Sequence, residues 1–136
     1  MRYRDYTIRQ LCQEMHDLYV SFNVKDLQKA MFRQESLPAV VMNPQDANQE
    51  YIRGNVELVR IRDAEGRIAA EGALPYPPGV LCVVPGEVWG GAVQRYFLAL
   101  EEGINMLPGF SPELQGVYSE KDADGIKRLY GYVLNV

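Results

Sequence analysis

LPYPPGVLCVVPGEVWGG, residues 74–91, is the most constrained segment of the chain and stands between a polar, strand-like segment and an amphipathic helix. Prolines at 75, 77 and 78 fix φ and bias each preceding residue toward extended backbone. Residues 73–78 are therefore expected to form a stiff, non-helical lead-in with Tyr76 in its middle. Gly79 releases the chain. Residues 80–84, VLCVV, have no polar member for solvent and read as a short strand buried on both faces. Pro85 and Gly86 stop it. Glu87 then places a carboxylate near the start of the next helix, where it suits the positive end of the dipole. Loop, core strand and helix cap is one account of the stretch. The other is that its rigidity presents Tyr76, Glu87 and Trp89 as the lining of a binding surface.

Downstream, Val88, Trp89, Ala92, Val93, Tyr96, Phe97, Leu100 and Ile104 form the strongest helical stripe in the chain, with Gln94, Arg95, Glu101 and Glu102 opposite. This is the expected central helix, ended by Gly103 and Pro108. Residues 114–119 and 126–134 surround Lys121-Asp122-Ala123-Asp124-Gly125 and predict a closing antiparallel hairpin. Upstream, 56–62 and 67–70 flank the turn signal Asp63-Ala64-Glu65-Gly66 and read as a hairpin or a strand, loop and strand unit. Ile8, Leu11, Cys12, Met15, Leu18, Tyr19 and Phe22 make an amphipathic helix running to about Ser21, with Thr7 and Gln10 as its capping box. Asn23 is expected to cap a second helix, with Asp26 in its first turn. Residues 37–42, LPAVVM, fit a brief strand or a buried linker. Asn43, Pro44 and Asp46 start a third helix that stops at Gly54. Amphipathic helices first, then short and mostly antiparallel strands packed around one long helix, make an α+β fold in a single domain, residues 1–136.

Composition narrows the function. A net charge of −4 and a pI near 5.0 argue against nucleic acid as a partner. Arg60, Arg62 and Arg67 are the one local cluster of positive charge and read either as a solvated strand face or as an anion site. Cys12 and Cys82 lie in apolar patterns far apart and are expected to be buried, reduced thiols of a cytoplasmic protein. No apolar run approaches the ~20 residues of a membrane span, and the N-terminus is not a signal peptide. His16, the only histidine, has no second histidine to complete a metal site and no nucleophile pattern beside it. Gly86, Gly90 and Gly91 lack the spacing of a phosphate loop. Glu101 and Glu102 are adjacent and diverge around a helix, which is no arrangement for a cooperating carboxylate pair. Glu87 suits a substrate ammonium or a helix cap, and its position alone decides for neither.

Residues 66–118, GRIAAEGALPYPPGVLCVVPGEVWGGAVQRYFLALEEGINMLPGFSPELQGVY, resemble the C-terminal domain of the bacterial ornithine, lysine and arginine decarboxylases, with PYPPG at 75–79 and PGE at 85–87 shared across that group. VWGGAVQRYFLALEEGIN and the upstream YTIRQLCQEMHDLY, residues 6–19, look like the ornithine branch. The resemblance implies a large pyridoxal 5'-phosphate enzyme of the aspartate-aminotransferase fold, with this chain as an excised C-terminal domain. Catalysis in such an enzyme needs a Schiff-base lysine that directly follows a histidine, an acid at the pyridinium nitrogen and a group stacked on the ring. None of Lys25, Lys29, Lys121 and Lys127 has a neighbouring histidine, so no catalytic or cofactor-binding residue is expected here. The resemblance further implies packing on the cofactor domain and a second subunit at the entrance for an amino-acid substrate. Tyr76, Pro77 and Pro78 are then expected to shape the entrance wall, beside Trp89, and Glu87 to attract the substrate's distal ammonium. A stand-alone α+β binding or oligomerisation module without an enzymatic parent is the alternative.

Overall fold

The computed structural model describes residues 2–136. Helix α1, Ile8–Ser21, opens with the expected capping box: the Thr7 side chain accepts from Gln10 N, and the Gln10 side chain accepts from Thr7 N. Helix α2, Val24–Ala30, starts at Asn23 as predicted but for a different reason. Asn23 stands in left-handed backbone at φ 54° and makes no side-chain cap, so it supplies a tight reversal between α1 and α2 rather than a hydrogen bond. Helix α3, Pro44–Ile52, has Asn43 Oδ1 accepting from Gln45 N at 2.9 Å and proline at its first position, as the sequence indicates.

Five strands follow the helices or lie between them: β1 Val56–Arg60, β2 Leu74–Tyr76, β3 Glu113–Gln115, β4 Tyr118–Lys121 and β5 Lys127–Leu134. Helix α4, Gly91–Met106, comes between β2 and β3. Every ladder is antiparallel: β1-β5-β4 forms one sheet and β2-β3 a second. The fold is α+β, and the closing hairpin appears as β4 and β5. The upstream hairpin does not form. β1 pairs with β5, Val56 opposite Leu134, while Ile61–Asp63 turns as 3₁₀ helix and 67–70 crosses to other partners. Ile68 bridges Val88 and Ala69 bridges Val133, so the turn signal at 63–66 redirects the chain instead of folding it back on itself.

The core lies between α4 and the inner face of the three-stranded sheet. Trp89, Phe97, Ile61, Leu129, Val83, Val93 and Val133 are essentially sealed from solvent. The polar side of α4 is only partly solvated, because Gln94 and Glu101 are buried. Gln94 Nε2 donates to Ile61 O at 2.8 Å, and Glu101 Oε2 accepts from Leu129 N at 2.7 Å. Both tie the helix to the backbone of other elements: Gln94 adds a second donor to Ile61 O, which also accepts from Ala64 N, and Glu101 supplies the acceptor for the buried Leu129 N–H. α1 lies at the margin. Leu18 alone reaches full burial there, and Cys12, expected inside, is exposed, whereas Cys82 is buried; both are free thiols. Residues 37–42 are neither a strand nor a buried linker: Val40 and Val41 are exposed, and the segment is tied to residues 86–88 by backbone hydrogen bonds around an isolated bridge from Val40 to Glu87. No helix among the described residues is long and apolar enough to cross a membrane.

Candidate functional site

The proline-rich stretch is a loop with a closed neck. Ala73 N donates to Val83 O at 3.0 Å and Cys82 N to Ala73 O at 2.9 Å, so the chain leaves and re-enters the core at one point. On the outgoing limb Tyr76 pairs with Glu113 of β3. Gly79 N donates to Pro75 O at 3.1 Å, and the peptides before Pro77 and Pro78 are both cis. The tip projects: Tyr76, Val80 and Leu81 are 53%, 50% and 46% exposed, and Pro77 and Pro78 are exposed with them. Residues 80–84 are therefore not a doubly buried strand. The apolar run straddles a boundary, with Val80 and Leu81 outside it and Cys82 and Val83 in the core.

Beyond the neck, residues 84–87 form a tight turn with Pro85 and Gly86 at its centre. Glu87 N donates to Val84 O at 3.0 Å, and Glu87 Oε2 accepts from Val84 N at 2.8 Å. Gly86 stands at φ +91°, the left-handed value that a turn with proline before glycine requires. Glu87 is thus the clasp of its own turn and not a helix cap. Helix α4 begins four residues later, at Gly91, behind a Gly90 position with no side-chain cap. The intervening residues form no strand but are bridged on two sides, Glu87 to Val40 and Val88 to Ile68. Gly86 O accepts from Val41 N and Met42 N, Val88 N donates to Ala39 O, and Trp89 N donates to Arg67 O.

Trp89 accordingly points inward. It is 2% exposed, its ring meets Phe97 edge-on at 5.6 Å, and its Nε1 has no hydrogen-bond partner. It belongs to the core and offers no face to a ligand. The structure brings Tyr76, Pro77 and Pro78 together at the exposed tip, keeps Glu87 half-buried at the base, and assigns Trp89 to the interior. Sequence periodicity missed Val80 and Leu81 as surface groups, although Gly79 just before them is the signal that the chain turns there.

A cavity of about 440 Å³ lies elsewhere, between α1, α2 and α4, with His16, Tyr19, Lys25, Asp26 and Tyr96 in its walls. Burial pushes the Tyr96 phenol up from its ordinary value. No group of three or more potential metal ligands occurs among the described residues. The lysines do not fit pyridoxal phosphate either. A Schiff-base amine needs a desolvated site beside an acid and an aromatic ring, and Lys25, Lys29, Lys121 and Lys127 are all exposed.

Residues 25–135 match the family described as Orn/Lys/Arg decarboxylase, C-terminal domain. The chain belongs to that family. Over 134 residues, 98% of this chain and 19% of the relative, it is 90% identical to the constitutive ornithine decarboxylase of Escherichia coli strain K12. It is 74% identical to the inducible ornithine decarboxylase of the same organism, covering 98% of this chain and 18% of that one. Among solved structures, lysine decarboxylase A from Pseudomonas aeruginosa superposes with a TM-score of 0.85 at 31% identity, over 98% of this chain and 18% of that one. The chain spans about a fifth of the length of the curated relatives it matches. Membership in the family removes the alternative of a module unrelated to any enzyme.

Proposed function

We propose that residues 1–136 are the C-terminal domain of an ornithine decarboxylase that converts ornithine to putrescine and CO₂ in the cytoplasm, in polyamine biosynthesis or the response to acid. In this reading the domain is not catalytic alone. Its 74–82 loop is a preformed edge that meets the cofactor-bearing domain and a second subunit at the substrate entrance. Pyridoxal phosphate, held by that other domain, supplies the electron sink for decarboxylation. The observation that carries the reading is the loop itself: an apolar tip of Tyr76, Val80 and Leu81 held in water by a neck closed between Ala73 and residues 82–83. The 90% identity to an ornithine decarboxylase supports the substrate class.

Tyr76, Pro77 and Pro78 would form the entrance wall, and Glu87 at the loop base would add negative potential for the distal ammonium of the diamino acid. Glu87→Gln in the full-length enzyme tests this. Its amide oxygen can keep the hydrogen bond from Val84 N while the charge is removed. The expected result is a raised KM for ornithine with kcat little changed. An unchanged KM at low ionic strength would remove Glu87 from the entrance.

A further inference from the structure

Lys121 ends β4, Lys127 begins β5, and the register sets them directly opposite one another. Side chains so placed stand about 4.5–5.5 Å apart at Cβ, and like charges there repel. Alternation along the strands puts Lys121 on the same face as Ser119, and Lys127 on the same face as the fully buried Leu129, so both lysines lie on the side of the hairpin turned toward the core.

The acids of the hairpin are engaged on the other face. Glu120 is opposite Arg128, and Asp122 Oδ2 takes Arg60 Nη2 at 2.5 Å and Arg128 Nε at 3.3 Å, while Asp124 Oδ2 lies 3.6 Å from Arg128 Nη2. That face is charge-compensated. Among the described residues neither lysine has a carboxylate within ion-pair distance.

Both lysines line one cavity of about 310 Å³, with the hydroxyl residues Ser111 and Ser119 and the apolar Ile104 and Leu114. Lys127 is fixed there through its backbone: Asn105 Nδ2 donates to its carbonyl at 2.8 Å and Asn105 Oδ1 accepts from its N–H at 2.9 Å. An inward lysine on an edge strand blocks unwanted strand pairing, which would account for Lys121 on β4. It does not account for Lys127, because β5 is the central strand of the sheet. In a chain of net charge −4, two exposed and unpaired positive charges therefore meet at the rim of one concavity.

We propose that this cavity is an oxyanion site for a phosphate group, free or as the monoester of a small molecule. The phosphate sits between the Lys121 and Lys127 ammonium groups, with the Ser111 and Ser119 hydroxyls as further donors. A phosphate carries ~1.5–2 negative charges at neutral pH and three acceptor oxygens, which matches two point charges and two hydroxyls. The assignment does not depend on the decarboxylase reading.

The test titrates this chain with inorganic phosphate and, separately, with glycerol 3-phosphate, at ionic strength held constant with chloride. Calorimetry gives the affinity and backbone amide shifts at Ser119, Lys121 and Lys127 give the location. Saturable binding with shifts confined to these positions is expected, weakened about tenfold or more in Lys127→Gln. Tighter binding of the monoester assigns the organic form, and equal affinity assigns the free ion. Lys121→Glu replaces repulsion with an opposite-charge pair, so it should abolish binding while raising the denaturation midpoint in phosphate-free buffer, which separates loss of the site from loss of the fold. No saturable binding, binding unchanged in Lys127→Gln, or a midpoint not raised in Lys121→Glu would overturn the proposal.

Discussion

Alanine at Gly86 separates two costs of a side chain at a left-handed position. Gly86 is at φ +91°, and a Cβ there would press into the Met42 carbonyl oxygen, with the Met42 carbonyl carbon at 2.9 Å. The obstruction is backbone, and it is held. Gly86 O accepts from Val41 N and Met42 N at 3.1 Å each, and Gly86 N donates to Ala69 O at 2.9 Å. The left-handed conformation costs a non-glycine residue about 1–2 kcal/mol. Relieving the contact means parting the 41–42 segment from the turn, with one or two hydrogen bonds lost at about 0.5–1.5 kcal/mol each. Gly86→Ala is therefore expected to cost roughly 2–5 kcal/mol. Gly54 supplies the comparison, since it has φ +80° and nothing within 4 Å of a Cβ, so Gly54→Ala carries only the first cost, about 1–2 kcal/mol. Urea unfolding reads the difference: with a slope of about 1–3 kcal/mol per M, Gly86→Ala should unfold at a concentration lower than Gly54→Ala by about 0.2 M or more. Equal midpoints at equal slopes would refute the claim that residues 41–42 clamp the turn.

Three further outcomes are expected. Glu101→Ala leaves the buried Leu129 N–H without its acceptor and should cost about 1–3 kcal/mol, whereas Glu101→Gln, which keeps an acceptor, should cost clearly less in the same unfolding experiment. Asp122 is held below the ordinary carboxylate value, first by the Tyr130 hydroxyl and then by Arg60 and Arg128. Its contribution is present above the unfolded value of about 3.9 and is lost as pH falls through the lower folded value, so Asp122→Asn should flatten the acid side of the stability profile. Tyr118 is raised to about 12 by burial first and then by its hydrogen bond to Glu71. Its stabilisation is complete below the unfolded value of about 10 and is lost as pH rises through about 12. Phenolate absorbance should show a transition there that Tyr118→Phe removes.

What the sequence made legible was local. The Thr7–Gln10 capping box, the Asn43–Pro44 start of α3 and the β4–β5 hairpin each depend on residues within a few positions of one another, and each is found. Partners distant in the chain were not legible. Nothing near Val56 announces that β1 will pair with β5 some 70 residues on, and the 63–66 turn points to the wrong partner. The polar residues misjudged on α4 share that cause. Gln94 and Glu101 resemble a solvated face because the backbone groups they satisfy, at Ile61 and Leu129, belong to other elements. By its place before the α4 stripe Glu87 suits a cap for the helix after it, yet its carboxylate turns back to Val84, since Trp89 must first enter the core before a helix can begin.

The loop shows why an apolar run is an ambiguous sign. VLCVV carries the same hydrophobicity whether both faces are covered by this chain or one is left for another surface. Here the break falls between Leu81 and Cys82. Burying a large apolar side chain fully is worth about 1.5–3 kcal/mol, so leaving Tyr76, Val80 and Leu81 about half exposed forgoes several kcal/mol that a purely internal strand would have gained. The sacrifice is local, because the neck at Ala73 and Val83 and the clasp at Glu87 hold the tip in place at little further entropic cost. A surface that closes over the tip recovers the forgone burial without having to order the loop first. This is the energetic ground for the proposal that residues 74–82 are a docking edge: the order of the loop is supplied by this chain, and a covering surface would add the burial that the chain alone forgoes.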